Sequence, residues 1–284
     1  MALGITVTLL VVEAIGAAVT GSLALLADAG HLATDALGLV VALAAVTLAA
    51  RPPSARRTFG FGRLEVLAAA ANALLLLGVG GTVLVQAIRR LADPVDVPSM
   101  PLLVLGVVGL LGNLVALAVL AGGDRNSLNL RGALLEVLGD ALGSVAVIVS
   151  AVVIWLTGWH AADAVASLVI AALILPRSAV LLRDAAHVLL EGTPAGVDLA
   201  EVRSALLEIE GVHEVHDLHV WSITSGEAAV SAHLVVVGVD CVGCGEKSVL
   251  DRAAAVLAAR FDLEHSTLQI EHTTHDTHEG ARHS

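Results

Sequence analysis

Apolar residues dominate the first part of the chain in six long runs that short polar segments separate. Each run is close to the roughly 20 residues that an α-helix needs to cross the hydrocarbon core of a bilayer. The pattern therefore predicts six transmembrane helices. They fall near residues 2–20, 29–50, 64–88, 101–121, 132–157 and 162–185.

From about residue 192 the pattern becomes that of a soluble domain. Asp198 is placed to cap an amphipathic helix that ends just before Gly211. Two alternating stretches then predict strands joined by a turn at Ser225 and Gly226, followed by a second helix and a third strand. The predicted helices cover 198–210 and 246–260, and the predicted strands cover 215–223, 229–237 and 266–271. This α-β-β-α-β order predicts a small α+β sandwich.

The composition supports a membrane protein. Hydrophobic residues make up 57% of the chain and charged residues 15%, with a mean hydropathy of +0.87. Ordinary soluble domains are about a quarter charged. We therefore predict a membrane all-α bundle of six transmembrane helices at 1–190, a cytoplasmic α+β domain at 191–271, and a disordered His-rich tail at 272–284.

Arginines outside the soluble domain lie mostly on one side of the predicted membrane, where eight oppose only Arg89 and Arg90. The positive-inside rule then places both termini in the cytoplasm. Because arginine far outnumbers lysine and no organelle transit peptide is present, we expect a bacterial inner membrane. The eight arginines are Arg51, Arg56, Arg57, Arg63, Arg125, Arg131, Arg177 and Arg183.

The soluble domain and tail carry most of the chain's formal net charge of −12 and most of its 12 histidines. An acidic surface repels nucleic acid and attracts cations, so we expect no nucleic-acid partner. Cys241 and Cys244 lie here, and cytoplasmic thiols stay reduced, which argues against a disulfide.

Two pairs of ionisable residues interrupt the apolar runs. His31 and Asp35 lie in the second span, and Glu136 and Asp140 lie in the fifth. Residues four apart share a helix face, so both side chains of a pair can lean onto one ion. An ionisable residue inside a membrane span costs roughly 2.5 to 3.5 kcal/mol on insertion scales and usually marks an ion pathway.

The two pairs together supply the four donors that a tetrahedral ion such as Zn²⁺ prefers. Small residues recur every fourth position beside them and allow the two helices to approach closely. They are Gly30, Thr34 and Gly38 in the second span and Gly139 and Gly143 in the fifth. Metal binding at such a site releases protons, so metal and proton compete, as an antiporter requires.

Other carboxylates are less specific. Glu13 in the first span fits either a polar contact between helices or a part of the pathway. Asp28 and Asp163 lie near predicted span ends, where we expect them at the membrane interface.

At these residues the chain resembles the cation diffusion facilitator family of zinc-type bacterial metal efflux transporters. The stretches that carry the resemblance are GSLALLADAGHLATDALGL, RRTFGFGRLEVLAA, NLRGALLEVLGDALGS, LLEGTP and VHDLHVWSITSG. The similarity extends from about residue 4 to 271. It implies six membrane helices, a cytoplasmic ferredoxin-like αββαβ domain, a homodimer, and exchange of cytoplasmic metal for external protons.

The resemblance also implies roles for residues. His31, Asp35, Glu136 and Asp140 match the family's transport site, although members usually have His where this chain has Glu136. A carboxylate there makes the site harder, which eases entry of Mn²⁺, Co²⁺ or Fe²⁺ relative to Zn²⁺. The segment RPPSARRTFGFGR lacks the His and Asp with which some members bind metal, so we predict no metal in that loop.

The family's cytoplasmic metal cluster maps onto His216, His233 and Glu271, with Gln269 where some members have His. These histidines are otherwise ordinary strand residues. Cys241 and Cys244 are near the cluster, but a lone C-x-x-C is weak evidence for a metal site. The family's charge pair between the third span and the linker after the sixth maps onto Arg63 and Glu191, which are otherwise an ordinary interfacial pair.

The resemblance implies no cofactor, with Zn²⁺ or another divalent metal as substrate and regulatory ligand. An intramembrane hydrolase would need an open coordination position and a general base, and no H-E-x-x-H motif occurs in any span, so we expect no enzyme. A metal sensor of the same fold that has lost transport is the alternative. His31, Asp35 and Asp140 argue for transport, whereas Glu136 keeps the alternative open.

Overall fold

The computed structural model describes residues 2–49, 54–120, 128–224, 226–237 and 245–272. A few side chains inside the helices, among them those of Asp35 and Glu136, are outside the described part. The first six elements are the helices α1 (Ala2–Thr20), α2 (Leu23–Ala49), α3 (Arg63–Ala92), α4 (Ser99–Leu120), α5 (Leu128–Thr157) and α6 (Ala161–Leu189). The chain continues with α7 (Leu199–Leu207), β1 (Val212–Thr224), β2 (Glu227–Val236), α8 (Gly245–Phe261) and β3 (His265–His272).

Each of the six apolar runs forms a helix. In the part of the chain that the structure describes, four helical segments are long and apolar enough to cross a membrane, and Val7–Thr20 is a shorter apolar helix. The four are Arg63–Ala92, Ser99–Leu120, Val137–Thr157 and Ala161–Leu189. A multi-pass helical region is therefore present, and the number of six spans stays a prediction.

The chain divides into two compact units. The first comprises residues 1–44 and 68–183, and the second comprises 45–67 and 184–284. The segment 45–67, which the sequence places within the membrane domain, is thus grouped with the C-terminal part of the chain.

In the first unit, α4 packs along α5, and α1 also packs against α4. Gly106 makes the α4–α5 approach possible, because a Cβ atom there would lie 2.9 Å from Cγ1 of Ile148 and 3.3 Å from its backbone nitrogen. Small residues at such contacts are how membrane helices pack closely. The buried core between the helices includes Leu25, Leu102 and Val147.

Asp163 fixes the start of α2. Its carboxylate accepts hydrogen bonds from the Ser22 hydroxyl and, at 2.9 Å, from the backbone N–H of Leu23. These groups lie at the helix end that leaves N–H groups unsatisfied and favours negative charge. Asp163 does lie in the first turn of α6, as expected for a span end, but its side chain is buried rather than exposed at an interface.

The α-β-β-α-β order of the C-terminal domain is as predicted. Asp198 caps α7 by accepting a hydrogen bond from the N–H of Ala200 at 2.8 Å. The helix ends at Leu207, three residues before the predicted end, because the chain turns through Ile209 to reach Gly211 at a φ of 97°. A left-handed φ of this kind favours glycine.

The three strands form one sheet in the order β1-β2-β3, with β2 antiparallel to β1 and parallel to β3. Alternate residues of all three strands face α7 and α8. The apolar core between this sheet face and the helices includes Val202, Leu206, Val220, Leu234, Ala253 and Leu257, with Leu268 and Ile270 packed against it. The intervening strand residues face the other side of the sheet.

Candidate metal sites

His31 and Asp140 meet inside the first unit. Nε2 of His31 on α2 lies 3.2 Å from Oδ1 of Asp140 on α5, and both side chains are largely buried. The close contact is not a hydrogen bond, since Oδ1 of Asp140 has no hydrogen-bond partner among the described residues. A ring nitrogen and a carboxylate oxygen are thus close enough together to contact one ion.

Asp35 and Glu136 each lie four residues from one member of this contact, on α2 and α5 respectively. Four residues are about one helical turn, so each shares a helix face with its neighbour in the pair. Their side chains lie outside the described residues. The backbone is therefore compatible with the four-ligand set, which stays a prediction.

Two further carboxylates are buried in the same unit. Glu13 on α1 is 2% exposed and Asp28 on α2 is 4% exposed. The sequence marks Glu13 as a charge within an apolar run, but nothing in the sequence shows which helices surround it. Asp28 lies only eight residues after the end of α1 at Thr20, as expected for a residue near a span end. Its side chain is nevertheless buried in the first unit.

His216, His233 and Glu271 form a second cluster, in the sheet of the C-terminal domain. One ligand atom from each lies within 4.8 Å of the others. Nε2 of His216 is 3.1 Å from Glu271 Oε2, and Nδ1 of His233 is 2.8 Å from Glu271 Oε1. The ring centroids of the two histidines are 5.0 Å apart in an edge-on arrangement. Two imidazoles and one carboxylate are a common set of zinc ligands.

Strand register explains the cluster. His216 pairs directly with His233, and His233 pairs with Gln269, two residues before Glu271. Because Leu268 and Ile270 face the core, Gln269 and Glu271 face the opposite side with His233. The register of β1 shifts between His216 and His219, at Asp217 with its φ of 47°. This irregularity keeps Val215 and Val220 in the core while His216 joins the other face.

The surroundings of Glu271 in the cluster favour its ionised form. Burial raises the pKa of Glu271, but hydrogen bonds from Gln269 and His216 and the charges of both histidines outweigh burial. The pKa of Glu271 is therefore below its ordinary value. Asp217 adds a second carboxylate, with Oδ2 3.4 Å from His216 Nδ1 and 3.9 Å from His233 Nδ1. A cation at this position would meet two carboxylates.

Arg63 and Glu191 also come together, with Nη2 to Oε1 at 3.2 Å. Both side chains are substantially exposed, and Glu191 has a φ of 61°. Cys241, Cys244 and the tail from residue 273 lie outside the described residues, so whether the two cysteines join the metal cluster stays open.

The chain matches two family models. Residues 1–190 match the cation efflux transmembrane domain, and residues 194–273 match the cytoplasmic domain of cation efflux proteins.

Similar proteins cover nearly the whole chain. The metal cation efflux system protein CzcD of Cupriavidus metallidurans is 44% identical over 283 residues, which is 100% of this chain and 89% of that protein. A cadmium, cobalt and zinc/H(+)-K(+) antiporter of Bacillus velezensis is 40% identical over 94% of this chain and 85% of its own length. The zinc transporter ZitB of Escherichia coli is 39% identical over 95% and 86%.

One solved structure, the metal-bound C-terminal domain of the CzcD transporter from the same Cupriavidus species, is 43% identical. It covers 26% of this chain and 99% of that chain, with a TM-score of 0.24.

A helical membrane unit with a buried His–Asp contact, joined to a sheet domain with a His–His–Glu cluster, defines a multi-pass membrane protein that handles metal cations. The matched family models and the similar proteins identify the family within this class. The chain belongs to the cation efflux family, the cation diffusion facilitators, whose members are metal efflux transporters.

Proposed function

We propose that this chain exports divalent transition-metal cations, Zn²⁺ foremost, from the cytoplasm across a bacterial inner membrane in exchange for protons. The observation that carries the proposal is the 3.2 Å approach of His31 Nε2 to Asp140 Oδ1 between α2 and α5. Each member brings a second ionisable residue one turn away, Asp35 and Glu136, so four donors can surround one ion.

Proton exchange follows from the chemistry of these donors. Buried carboxylates must be neutralised, either by protons or by a dication, and the imidazole nitrogen can bind a proton or the metal. Metal entry from the cytoplasm then displaces protons, and protons entering from outside displace the metal. Rocking of the helices between inward-open and outward-open arrangements would connect the two half-reactions.

The names of the relatives support a zinc-type substrate range that includes Cd²⁺ and Co²⁺. Glu136 replaces a nitrogen donor by an oxygen donor and adds a negative charge. Harder ions such as Mn²⁺ and Fe²⁺ therefore enter the range more readily than they would with His at that position.

The cytoplasmic cluster of His216, His233 and Glu271 would hold a second metal as a regulatory ligand. A match to the cytoplasmic domain of cation efflux proteins, a model named for its dimer, supports a homodimer that forms through this domain, with both termini in the cytoplasm. Metal at the cluster would offset the carboxylates of Glu271 and Asp217 when cytoplasmic metal is plentiful.

Purified protein in liposomes with an internal zinc-sensitive dye and an imposed pH gradient tests the proposal. We expect metal flux that follows the direction of the proton gradient and is abolished in Asp140→Asn. Unchanged flux in this variant would refute the assignment of the transport site.

A metal sensor of the same fold is the alternative, and the cluster of His216, His233 and Glu271 is the observation that favours it. A sensor would bind Zn²⁺ tightly in detergent but give no flux under any gradient. The liposome experiment therefore separates the two functions.

A further inference from the structure

Glu13 is a buried carboxylate that the transport pair does not explain. It lies on α1 and is 2% exposed. Its Oε1 atom would lie 3.0 Å from a Cβ atom placed on Gly109 of α4, and the Ser144 hydroxyl oxygen of α5 would lie 3.1 Å from the same point. Its Oε2 atom has no hydrogen-bond partner in the described part of the chain. The side chain thus points between α4 and α5.

Asp28 approaches the same stretch of α5. A Cβ atom on Gly143, the neighbour of Ser144, would lie 3.3 Å from Oδ1 of Asp28. Asn113 of α4 donates from Nδ2 to the Ser144 hydroxyl at 3.3 Å, which leaves its amide oxygen for other partners. Two glycines therefore make room for two carboxylates, and two neutral polar side chains lie beside them.

The charges around Glu13 come from two helices. Asp28 on α2 and Asp140 on α5 are the charged groups that act on it most strongly. Gly109 and Ser144, which lie close to it, and Asn113, which donates to Ser144, carry no charge. A carboxylate buried beside two others, without a hydrogen bond for one of its oxygens, requires a cation.

The donors of this group are all oxygens: two carboxylates, an amide and a hydroxyl. Transition-metal ions of the zinc type select nitrogen and sulfur donors, whereas hard cations select oxygen. The His31–Asp140 contact supplies the nitrogen donor and this group does not. The His31–Asp140 contact and the oxygen group around Glu13 are therefore expected to bind different kinds of cation.

We propose that Glu13 and Asp28, with Asn113 and Ser144, form a second cation site that holds a further counter-cation of transport, a proton or an alkali-metal ion, in addition to the protons that exchange at the metal site. This inference rests on the proposed exchange function. Since the Asp140 charge acts on both places, a cation at Glu13 weakens metal binding at His31 and Asp140, and metal binding expels the counter-cation.

The test measures the affinity of purified full-length protein for Zn²⁺ in detergent, across pH at fixed salt and across K⁺ or Na⁺ at fixed pH. Binding linkage is reciprocal, so the slope of log Kd against pH or log cation concentration counts the ions displaced. The pH arm detects a proton, and the salt arms detect an alkali-metal ion. In either the pH arm or one of the salt arms, we expect the slope measured for Glu13→Gln to be smaller than the wild-type slope by about one ion.

Glu13→Gln should bind Zn²⁺ with a Kd within about threefold of the wild-type value in the condition where the counter-cation is scarce, because the nitrogen donor remains. Glu65→Gln, an exposed carboxylate in the first turn of α3, is the matched control and should keep the wild-type slopes. Unchanged slopes in every arm of Glu13→Gln would overturn the proposal. So would an affinity loss as large as that of Asp140→Asn, since Glu13 would then belong to the metal site.

Gly109→Ala provides a second variant if Glu13→Gln fails to fold. It keeps every charge but places a methyl group where the Glu13 carboxylate and the Ser144 hydroxyl converge. We expect the same slope to fall while Zn²⁺ still binds, and an unchanged slope would count against the site. Absence of flux in wild-type liposomes would refute the exchange function alone, because the slopes are equilibrium binding measurements and still decide the second site.

Discussion

The ring nitrogen Nε2 of His31 lies 3.2 Å from the carboxylate oxygen Oδ1 of Asp140, although the two residues belong to helices far apart in the chain. The contact joins α2 to α5 without forming a hydrogen bond with Oδ1. One ion could bind both atoms only while the two helices stay this close. We therefore expect metal binding to depend on the arrangement of these helices.

Asp140→Asn should abolish metal flux and weaken Zn²⁺ binding. The substitution keeps the shape of the side chain but removes its charge, and disturbing even an outer partner of a metal ligand typically costs 10- to 100-fold in affinity, so we expect a loss of about 100-fold or more. Isothermal titration and liposome flux measure the two effects. Asp96→Asn, at an exposed side chain, should behave like the wild type.

Glu136→His should narrow the metal range toward Zn²⁺. The change adds a nitrogen donor and removes a negative charge, which disfavours the harder ions Mn²⁺ and Fe²⁺ relative to Zn²⁺. Flux competition among Zn²⁺, Cd²⁺, Co²⁺, Fe²⁺ and Mn²⁺ in the wild type and the variant checks this. The same ion profile in both proteins would show that Glu136 does not set selectivity.

Local sequence signals predicted the C-terminal domain closely. The alternation of apolar and polar residues predicted the strands, and the N-cap residue Asp198 predicted the start of α7. Both features depend on residues that are close in sequence. The end of α7 was predicted three residues late, since the turn before Gly211 follows the packing of Ile209, which is buried in the core. Helix ends depend on tertiary contacts that a helical pattern does not contain.

Contacts between helices were predicted only where a pattern repeats. The i, i+4 spacing and the resemblance to the family indicated that His31 and Asp140 belong together. No such spacing relates Glu13 to Gly109 and Ser144, or Asp163 to Ser22, because these contacts join helices whose packing is not encoded in any single segment. The burial of Glu13, Asp28 and Asp163 became clear only from the structure.

Glu271→Gln should make the stability of metal-free protein less dependent on pH. The folded pKa of Glu271 is below its ordinary value of 4.5, so its ionised form contributes stability that is present above that value and lost as pH falls through the folded pKa. At pH 7 we expect the variant to lose about 1 to 3 kcal/mol of unfolding free energy. The difference in unfolding free energy between the variant and the wild type should disappear below pH 4.5.

Trp221 in β1 can report unfolding of the sheet by fluorescence, in a background where Trp155 and Trp159 are replaced by Phe. Urea titrations at several pH values then give the unfolding free energy of each variant. Glu264→Gln, at an exposed carboxylate next to β3, is the matched control. A difference in unfolding free energy that stays constant from pH 7 to below 4.5 would contradict a stabilising role of ionised Glu271.

Zn²⁺ should stabilise the C-terminal domain through the cluster of His216, His233 and Glu271. At 100 times the dissociation constant, a ligand that binds only the folded state adds about 2.7 kcal/mol. A chelator should reverse the gain, and His233→Ala should abolish it. His219→Ala, a β1 histidine outside the cluster, is the control, and an equal loss in both variants would rule out a specific site.

Asp163→Asn should destabilise the membrane unit, since its carboxylate bonds to Ser22 and Leu23 at the start of α2 and lies 3.9 Å from Arg90. An amide keeps one acceptor oxygen but presents N–H groups to backbone donors and removes the charge that favours a helix N-terminus. Hydrogen bonds to charged groups contribute about 1.5 to 3 kcal/mol, so we expect a loss of that size.

Thermal unfolding of the purified protein in detergent measures this loss. Asp96→Asn is again the matched control, because its exposed carboxylate pairs with a part-exposed imidazole and the substitution should change the unfolding midpoint little. Since α2 carries His31 two turns beyond its capped start, loosening the cap should also reduce metal affinity at His31 and Asp140. An Asp163→Asn protein with the wild-type midpoint would show that the cap does not hold α2 in place.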